Sequence, residues 1–163
     1  MLKAGIIEPV QFSCLSAPNL PVMKGDGSVR ICGDYKVTVN PAARSDTYPI
    51  PRIDELFTKH SGGKLYTKLD LSPTYQQLVL SKTSREFVTI NTHRGLFRYT
   101  RLPFGVSTAP SVFQCTMENL LMGIAGVVVY LDDLLVMGNS ISDHLCNLKS
   151  VLKKLQDAGF RLQ

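Results

Sequence analysis

Gly126-Val-Val-Val-Tyr-Leu-Asp-Asp-Leu-Leu-Val-Met137 is the most apolar run of the chain, and two adjacent carboxylates, Asp132 and Asp133, stand in its middle. Apolar, β-branched residues on both sides predict two paired strands. No Gly, Pro or Asn lies between them to make the turn unaided. Two neighbouring negative charges in apolar surroundings are unfavourable, through desolvation and mutual repulsion. A positive partner is therefore expected, and a divalent cation on carboxylate oxygens is the economical one. The plain alternative is an acidic hairpin tip in water, because Asp is a common turn residue.

A third carboxylate arrives from upstream. Residues 64–71 alternate as a strand that delivers Asp70 near its end. If that strand and the hairpin share a sheet, Asp70, Asp132 and Asp133 converge at one edge. Phosphoryl transfer uses such clusters, since two magnesium ions about 4 Å apart clamp the attacking and leaving oxygens. Magnesium is satisfied by a few carboxylates plus phosphates and water. Side chains alternate along a strand, so the two adjacent Asp should not contribute equally. Asp132 is expected to ligate together with Asp70, and Asp133 to tune the field.

The remaining elements follow from local chemistry. Strands are expected at 20–23 and 29–32 around the Asp26-Gly27 turn dipeptide. Residues 48–51 read as extended, and Pro51 fits the first position of a short helix to about Lys59, stopped by Gly62-Gly63. Ser72-Pro73 reads as a cap opening a short helix through Tyr75, Gln76 and Gln77. A hairpin is expected from 86–91 and 96–101 around Thr92-His-Arg-Gly95. A longer helix starts near residues 107–110 and buries Phe113, Met117, Leu120, Leu121 and Ile124. Ser140-Ile-Ser-Asp143 resembles a capping box, and the next helix should bury Leu145, Leu148, Val151, Leu152 and Leu155 until Gly159 ends it. Residues 160–163 could open another strand. Strands and helices mixed with antiparallel hairpins indicate an α+β domain.

Composition narrows the class. A chain of 163 residues fits one domain and can bury roughly 70% of its unfolded surface. With 44% hydrophobic and 19% charged residues it reads as globular, which excludes wholesale disorder. No apolar stretch reaches the roughly 18 residues of a membrane span, and the first residues lack a secretory signal pattern. Cys14, Cys32, Cys115 and Cys146 form no C-x-x-C pair, so reduced thiols are expected, in the cytoplasm or nucleus. The net charge of +5 is concentrated. Lys82, Arg85, Arg94, Arg98 and Arg101 face the single acid Glu86 over that segment, a footprint that suits a polyanion. A solvated basic hairpin is the alternative.

Several motifs in order carry a resemblance. They are Gly5-Ile-Ile-Glu-Pro9; Asp26-Gly-Ser-Val-Arg-Ile-Cys-Gly-Asp-Tyr-Lys36; Tyr48-Pro-Ile-Pro-Arg-Ile53; Leu69-Asp-Leu71 with Tyr75-Gln-Gln77; Arg101-Leu-Pro-Phe-Gly105 with Ala109-Pro110; Phe113-Gln114; and Tyr130-Leu-Asp-Asp133. Together they resemble the reverse transcriptase of gypsy-type LTR retrotransposon Pol polyproteins over nearly the whole chain. The resemblance implies a fingers-and-palm fold, with an antiparallel palm sheet packed on helices and no thumb. Fingers would comprise residues 1–50 and 80–103, and palm residues 51–79 and 104–163, in one domain spanning 1–163.

It also implies roles. Asp70, Asp132 and Asp133 would be catalytic and would hold two Mg²⁺ ions, or Mn²⁺, with the Leu71 carbonyl completing one shell. Arg30 and Lys24 would meet the incoming triphosphate, a task that suits a guanidinium's paired donors. A surface salt bridge to Asp26 or Asp34 is the bland role for Arg30. Tyr75 would be the steric gate that excludes a 2′-hydroxyl, its alternative being an ordinary core tyrosine. Phe104 and Gly105 would touch the nucleotide and template base, with Gly allowing close approach. Tyr130 and Leu131 would lie under the primer terminus, and Arg94, Arg98 and Arg101 would track the backbone of an RNA or DNA template.

Departures from the family pattern are Thr74, where many relatives carry Gly or Ala, and Leu15, often Trp. Both ends look truncated against that pattern, with the rest of the palm, the thumb and RNase H missing. The expected function is an RNA-directed DNA polymerase core that adds deoxynucleotides to a primer and works weakly alone. A catalytically silent nucleic-acid-binding or interaction module is the second reading. A metal-dependent phosphatase is a distant third, because nothing resembles its nucleophile.

Overall fold

A computed structural model of the chain describes residues 1–163 except Lys24, Asp26, Ser28, residues 44–47, Pro51, residues 53–62 and residues 72–73. The expected helix from Pro51, its stop at Gly62, the Ser72-Pro73 cap and the Lys24 contact lie outside the described residues. The strands are β1 (Ile7–Val10), β2 (Ala17–Met23), β3 (Val29–Gly33), β4 (Leu65–Asp70), β5 (Thr89–Thr92), β6 (Gly95–Tyr99), β7 (Val127–Tyr130) and β8 (Asp133–Gly138). The helices are α1 (Lys82–Arg85, a single turn), α2 (Ala109–Leu121) and α3 (Ile141–Asp157). The chain divides into two compact units, Met1–Thr47 with Tyr75–Ala109 and Tyr48–Thr74 with Pro110–Gln163.

The first unit is built on a five-stranded sheet of order β1-β6-β5-β2-β3. Only β2 and β5 run parallel, through Ala17 and Pro18 opposite Ile90 and Asn91. β1, which the sequence did not announce as a strand, pairs with β6 and puts Pro9 opposite Phe97. An edge strand tolerates a residue that cannot donate to the ladder. Tyr35, Ile90 and Tyr99, each at most 1% exposed, fill the core with Ala17, Val88, Leu102, Val106 and Ala109. Both phenols find carbonyl acceptors, Tyr35 on Val88 and Tyr99 on Ile31. Burial pushes the Tyr99 phenol up to about 12.

One local expectation is corrected here. Residues 86–88 are not strand: Glu86–Val88 form a 3-10 turn that follows α1 directly. Ser81 caps α1 by accepting the Ser84 N–H at 3.2 Å, and Thr89 Oγ1 donates back to the Glu86 carbonyl at 3.4 Å. Those side-chain bonds to the backbone outweigh the extended preference of Phe87 and Val88. The short helix expected at Tyr75–Gln77 forms, as a single 3-10 turn. The chain must leave it at once, because Leu80 N–H donates to the Thr100 carbonyl and Leu102 N–H to that of Leu78.

The second unit carries the antiparallel sheet β4-β8-β7. β4 alternates half-buried Leu65, Thr67 and Leu69 with exposed Tyr66, Lys68 and Asp70, so one face is packed and the other wet. Beneath the packed face lie Phe113, Met117 and Leu121 of α2 and Val151 and Leu155 of α3, all 4% exposed or less. The Ser140 cap of α3 forms as expected, while the reciprocal bond of Asp143 reaches the residue before the cap rather than the cap itself. Ser140 Oγ accepts the Asp143 N–H at 3.1 Å, and Asp143 Oδ2 accepts the Asn139 N–H at 2.8 Å. Its buried stripe is shifted, however: His144, Val151 and Leu155 are inside, whereas Leu145 and Leu152 are 56% and 40% exposed. His144 is taken in because its Nε2 shares a hydrogen bond with Thr67 Oγ1 at 2.7 Å. Gly159, at φ 76°, ends the helix with the Phe160 N–H on the Leu155 carbonyl. Residues 160–163 form no assigned strand. Phe160 packs edge-on to Phe113 at 6.4 Å, and the Gln163 N–H reaches the Asp70 carbonyl at 3.1 Å.

Among the described residues no helix is long and apolar enough to cross a membrane. The four cysteines are unpaired. At Gly138 the first turn of α3 packs close on the end of β8, for a Cβ there would stand 2.4 Å from the His144 N and Cα. Backbone cannot yield as a side-chain tip can. Gly138→Ala should lower stability by about 1–3 kcal/mol, as overpacking does, which a urea unfolding curve would measure. An unchanged midpoint would contradict this docking of α3.

Candidate functional site

Asp70 closes β4 and Asp133 opens β8, and the antiparallel register sets these two directly opposite each other. Cross-strand partners share a face, so both carboxylates emerge on the wet side of the sheet. Asp132 sits one residue earlier on the hairpin tip and is exposed. The three acids do gather at one sheet edge, but the ladder partner of Asp70 is Asp133 rather than Asp132. The expected desolvation is absent as well, since the Asp133 side chain is 41% exposed. Its charge is met instead by Lys68 Nζ, 2.8 Å from Asp133 Oδ2. Lys68 lies two residues before Asp70 on the same face, and both Asp133 and Asp70 push its ammonium pKa up, Asp133 first.

The turn that the sequence could not explain is made by a leucine. Tyr130 pairs with Asp133, leaving Leu131 and Asp132 as the two turn residues, and Leu131 adopts φ 52°. That region suits glycine and costs other residues roughly 1–3 kcal/mol. Local bonds hold it. The Leu131 N–H donates to Gln114 Oε1 at 2.9 Å, and Gln114 Nε2 donates to the Val129 carbonyl at 2.7 Å. The Leu71 N–H reaches the Asp132 carbonyl at 3.3 Å. Leu71 itself is fully buried, and its carbonyl accepts the Thr74 hydroxyl at 2.6 Å. A carbonyl retains a second lone pair beside such a bond.

In the first unit the structure gathers three of the residues expected to meet a nucleotide. The Arg30 guanidinium stands over the Phe104 ring at 4.4 Å, a cation–π contact, and Phe104 meets Tyr75 edge-on at 5.3 Å. Arg30 therefore stacks on an aromatic ring. Gly105 has φ 101°, and a Cβ on it would stand 2.1 Å from the Gly33 carbonyl oxygen. Glycine is demanded there by the protein's own backbone.

These features match known proteins. The family described as reverse transcriptase (RNA-dependent DNA polymerase) matches residues 22–163. The chain belongs to the reverse transcriptase family. It is 36% identical over 161 residues to the Transposon Tf2-3 polyprotein of Schizosaccharomyces pombe, covering 97% of this chain and 12% of the polyprotein. It is 34% identical over 162 residues to the uncharacterized protein K02A2.6 of Caenorhabditis elegans, covering 98% of this chain and 13% of that protein. The chain thus spans about an eighth of the length of these curated relatives. Among solved structures, the foamy viral protease-reverse transcriptase in complex with double-stranded DNA superposes with a TM-score of 0.90 at 29% identity, over 99% of this chain and 28% of that one. The same enzyme with an RNA/DNA hybrid gives 0.88 at 28% identity, over 99% and 22%. The fold is accordingly the α+β fingers-and-palm arrangement.

Reverse transcriptases as a family depend on divalent metal, and this chain's donors suit one. Asp70, Asp132 and Asp133 offer hard carboxylate oxygens, and a lysine ammonium already stands in the place of positive charge. Among the described residues no three acidic, His or Cys side chains are drawn together tightly enough to hold an ion by themselves.

Some expected contacts of the reverse transcriptase with template are committed elsewhere. Arg98 forks onto Glu8 Oε1 through Nε at 2.9 Å and Nη2 at 2.7 Å. Arg101 Nη1 donates to the carbonyls of Gln76 and Gln77. Arg94 is exposed on the β5–β6 turn. Tyr130 is half-buried at the end of β7. Sequence reasoning also missed residues that support the site. Lys68 could have been found from its period-2 spacing to Asp70. Gln114 falls at i, i+3, i+7 with Met117 and Leu121, and a polar residue inside an apolar stripe is a signal. Asn40, whose Nδ2 holds the Gly105 carbonyl at 3.0 Å while its Oδ1 takes the Ser107 N–H at 2.9 Å, left no local sign.

Because Lys68 occupies an Asp133 oxygen, it would compete with any divalent cation drawn to that carboxylate. Lys68→Met should tighten Mn²⁺ binding a few-fold, read by electron paramagnetic resonance of free Mn²⁺. Weaker binding in the variant would mean that Lys68 assists the site.

Proposed function

We propose that the chain is the fingers-and-palm core of an RNA-directed DNA polymerase from an LTR retrotransposon. The first unit serves as fingers and the second as palm. The observation that carries this reading is the ladder register, which brings Asp70 and the Asp132-Asp133 turn to one edge of the palm sheet. The reaction joins a primer 3′-oxygen to the α-phosphorus of a deoxynucleoside triphosphate, and the bond to pyrophosphate breaks. Asp70, Asp132 and Asp133, helped by the Leu71 carbonyl, would hold Mg²⁺ or Mn²⁺. The chemistry supplied by bound cations is neutralisation of charge on the attacking and leaving oxygens.

The protein's own residues bind and orient. Arg30, steadied on Phe104, presents donors to the triphosphate, and Lys24 is assigned the same task. Tyr75, packed edge-on to Phe104, serves as the sugar gate. Gly105 and Phe104 form the surface under the base. Tyr130 and Leu131 support the primer end. Arg94 meets template phosphates directly, whereas Arg98 and Arg101 brace the strands that present it. The solved relatives hold double-stranded DNA or an RNA/DNA hybrid, which supports a primer–template as the partner. A silent nucleic-acid-binding module is not favoured, since all three carboxylates are retained.

Single-nucleotide addition to a labelled primer tests the reading. Asp70→Asn, Asp132→Asn and Asp133→Asn should each lower incorporation by about a hundredfold or more, while salt-dependent primer–template binding persists. Incorporation that survives Asp132→Asn would overturn the catalytic assignment. Tyr75→Ala should relax the preference for deoxy- over ribonucleotides by on the order of ten- to a hundredfold, seen in the ratio of kcat/KM values. An unchanged ratio would remove Tyr75 from the gate.

A further inference from the structure

Gln114 is a glutamine where the α2 stripe calls for an apolar residue, and it is 0% exposed. A buried amide is tolerated only when its donors and acceptor are engaged. Here all are. Oε1 accepts the Leu131 N–H at 2.9 Å, and Nε2 donates to the Val129 carbonyl and to Glu118 Oε1, both at 2.7 Å. The pattern also fixes which way the amide faces, because a flipped group would set donor against N–H and oxygen against carbonyl and carboxylate. Glu118, one helical turn on, is held in turn by the Tyr48 hydroxyl, which donates to its Oε2. That bond pushes the Tyr48 phenol up to about 12, so it remains a donor throughout the neutral range.

What the amide grips is specific. Its two hairpin contacts fall on Val129 and Leu131, bracketing Tyr130 at the entry to the turn. The Leu131 N–H lies beyond the last ladder pair, Tyr130 with Asp133, so the sheet offers it no acceptor. Leu131 is also the non-glycine residue that takes a positive φ among those described. Released from Gln114, its peptide units can rotate toward ordinary dihedrals, and Asp132 and Asp133 follow directly in the chain.

We infer that Gln114, locked by Glu118 and Tyr48, is a positioning residue that fixes the Leu131 turn and thereby aims Asp132 and Asp133 at bound metal. This rests on the polymerase reading above. Gln114 touches neither substrate nor metal; it acts through the backbone of the turn. A core glutamine of merely structural worth would, when replaced, loosen the whole second unit evenly. A positioning residue loosens the tip and its ligands first.

Two measurements on the chain separate these, amide hydrogen exchange by NMR and Mn²⁺ affinity by calorimetry. In Gln114→Met, exchange at Leu131 should accelerate at least about tenfold more than at Val136 in the middle of β8, and Mn²⁺ should bind about tenfold more weakly, the worth of one charge-adjacent hydrogen bond. Glu118→Gln still offers Gln114 an oxygen and should stay within about twofold of the parent in affinity. If Gln114→Met does not fold, Gln114→Asn carries both readouts, since its amide is one methylene too short to accept the Leu131 N–H. Equal acceleration at Leu131 and Val136, or unchanged Mn²⁺ affinity beside a parent that binds it, overturns the proposal. A parent chain that binds no Mn²⁺ sinks the polymerase reading instead, and the exchange comparison then judges the turn alone.

Discussion

A leucine in a left-handed conformation holds the hairpin tip on which the candidate chemistry depends. Leu131 at φ 52° carries a cost of roughly 1–3 kcal/mol, and the surrounding structure meets it with hydrogen bonds of about 1 kcal/mol each. Gln114 supplies two of these and the Leu71 N–H supplies a third through the Asp132 carbonyl. A glycine would have made the same turn without strain. It would also have left the tip free to adopt other shapes, whereas a leucine clamped by a buried amide has one.

The charge balance at this tip is local and wet. Asp70 and Asp133 face each other across the ladder on the open side of the sheet, with Lys68 diagonal to Asp133. An ammonium on a flexible stem is a replaceable counter-ion, and an exposed pair of this kind contributes little to stability. Its consequence is for ligand exchange: a divalent ion drawn to Asp133 would have to displace or share with it. In the first unit, by contrast, the Arg30 guanidinium is parked on Phe104, where an aromatic face orients it without neutralising its charge.

Much of the fold could be read from local chemistry. The alternation of β4, the apolar β7 and β8, the stripe of Phe113 and Met117 and the cap at Ser140 all formed where spacing and turn residues put them. Failures arose where side chains bonded to backbone or to remote partners. Residues 86–88 turned as a continuation of α1, which Ser81 caps, with Thr89 bonded back to the Glu86 carbonyl, and His144 displaced Leu145 from the core with a hydrogen bond to Thr67. β1 was invisible because a strand of four residues containing proline gains its identity only from β6.

The three carboxylates, the residues proposed to meet a nucleotide and the family were named from the order and spacing of motifs, since residue types needed for a reaction leave a linear trace. The supports were not. Which acid faces Asp70 is set by strand register, a pairing of residues more than 60 apart in the chain. The acceptor for Leu131 comes from a helix 17 residues earlier, and the residue that Arg98 neutralises comes from 90 residues away. Chemistry is carried by side-chain type, which sequence specifies outright. Aim and charge compensation are carried by long-range neighbours, and folding alone chooses those.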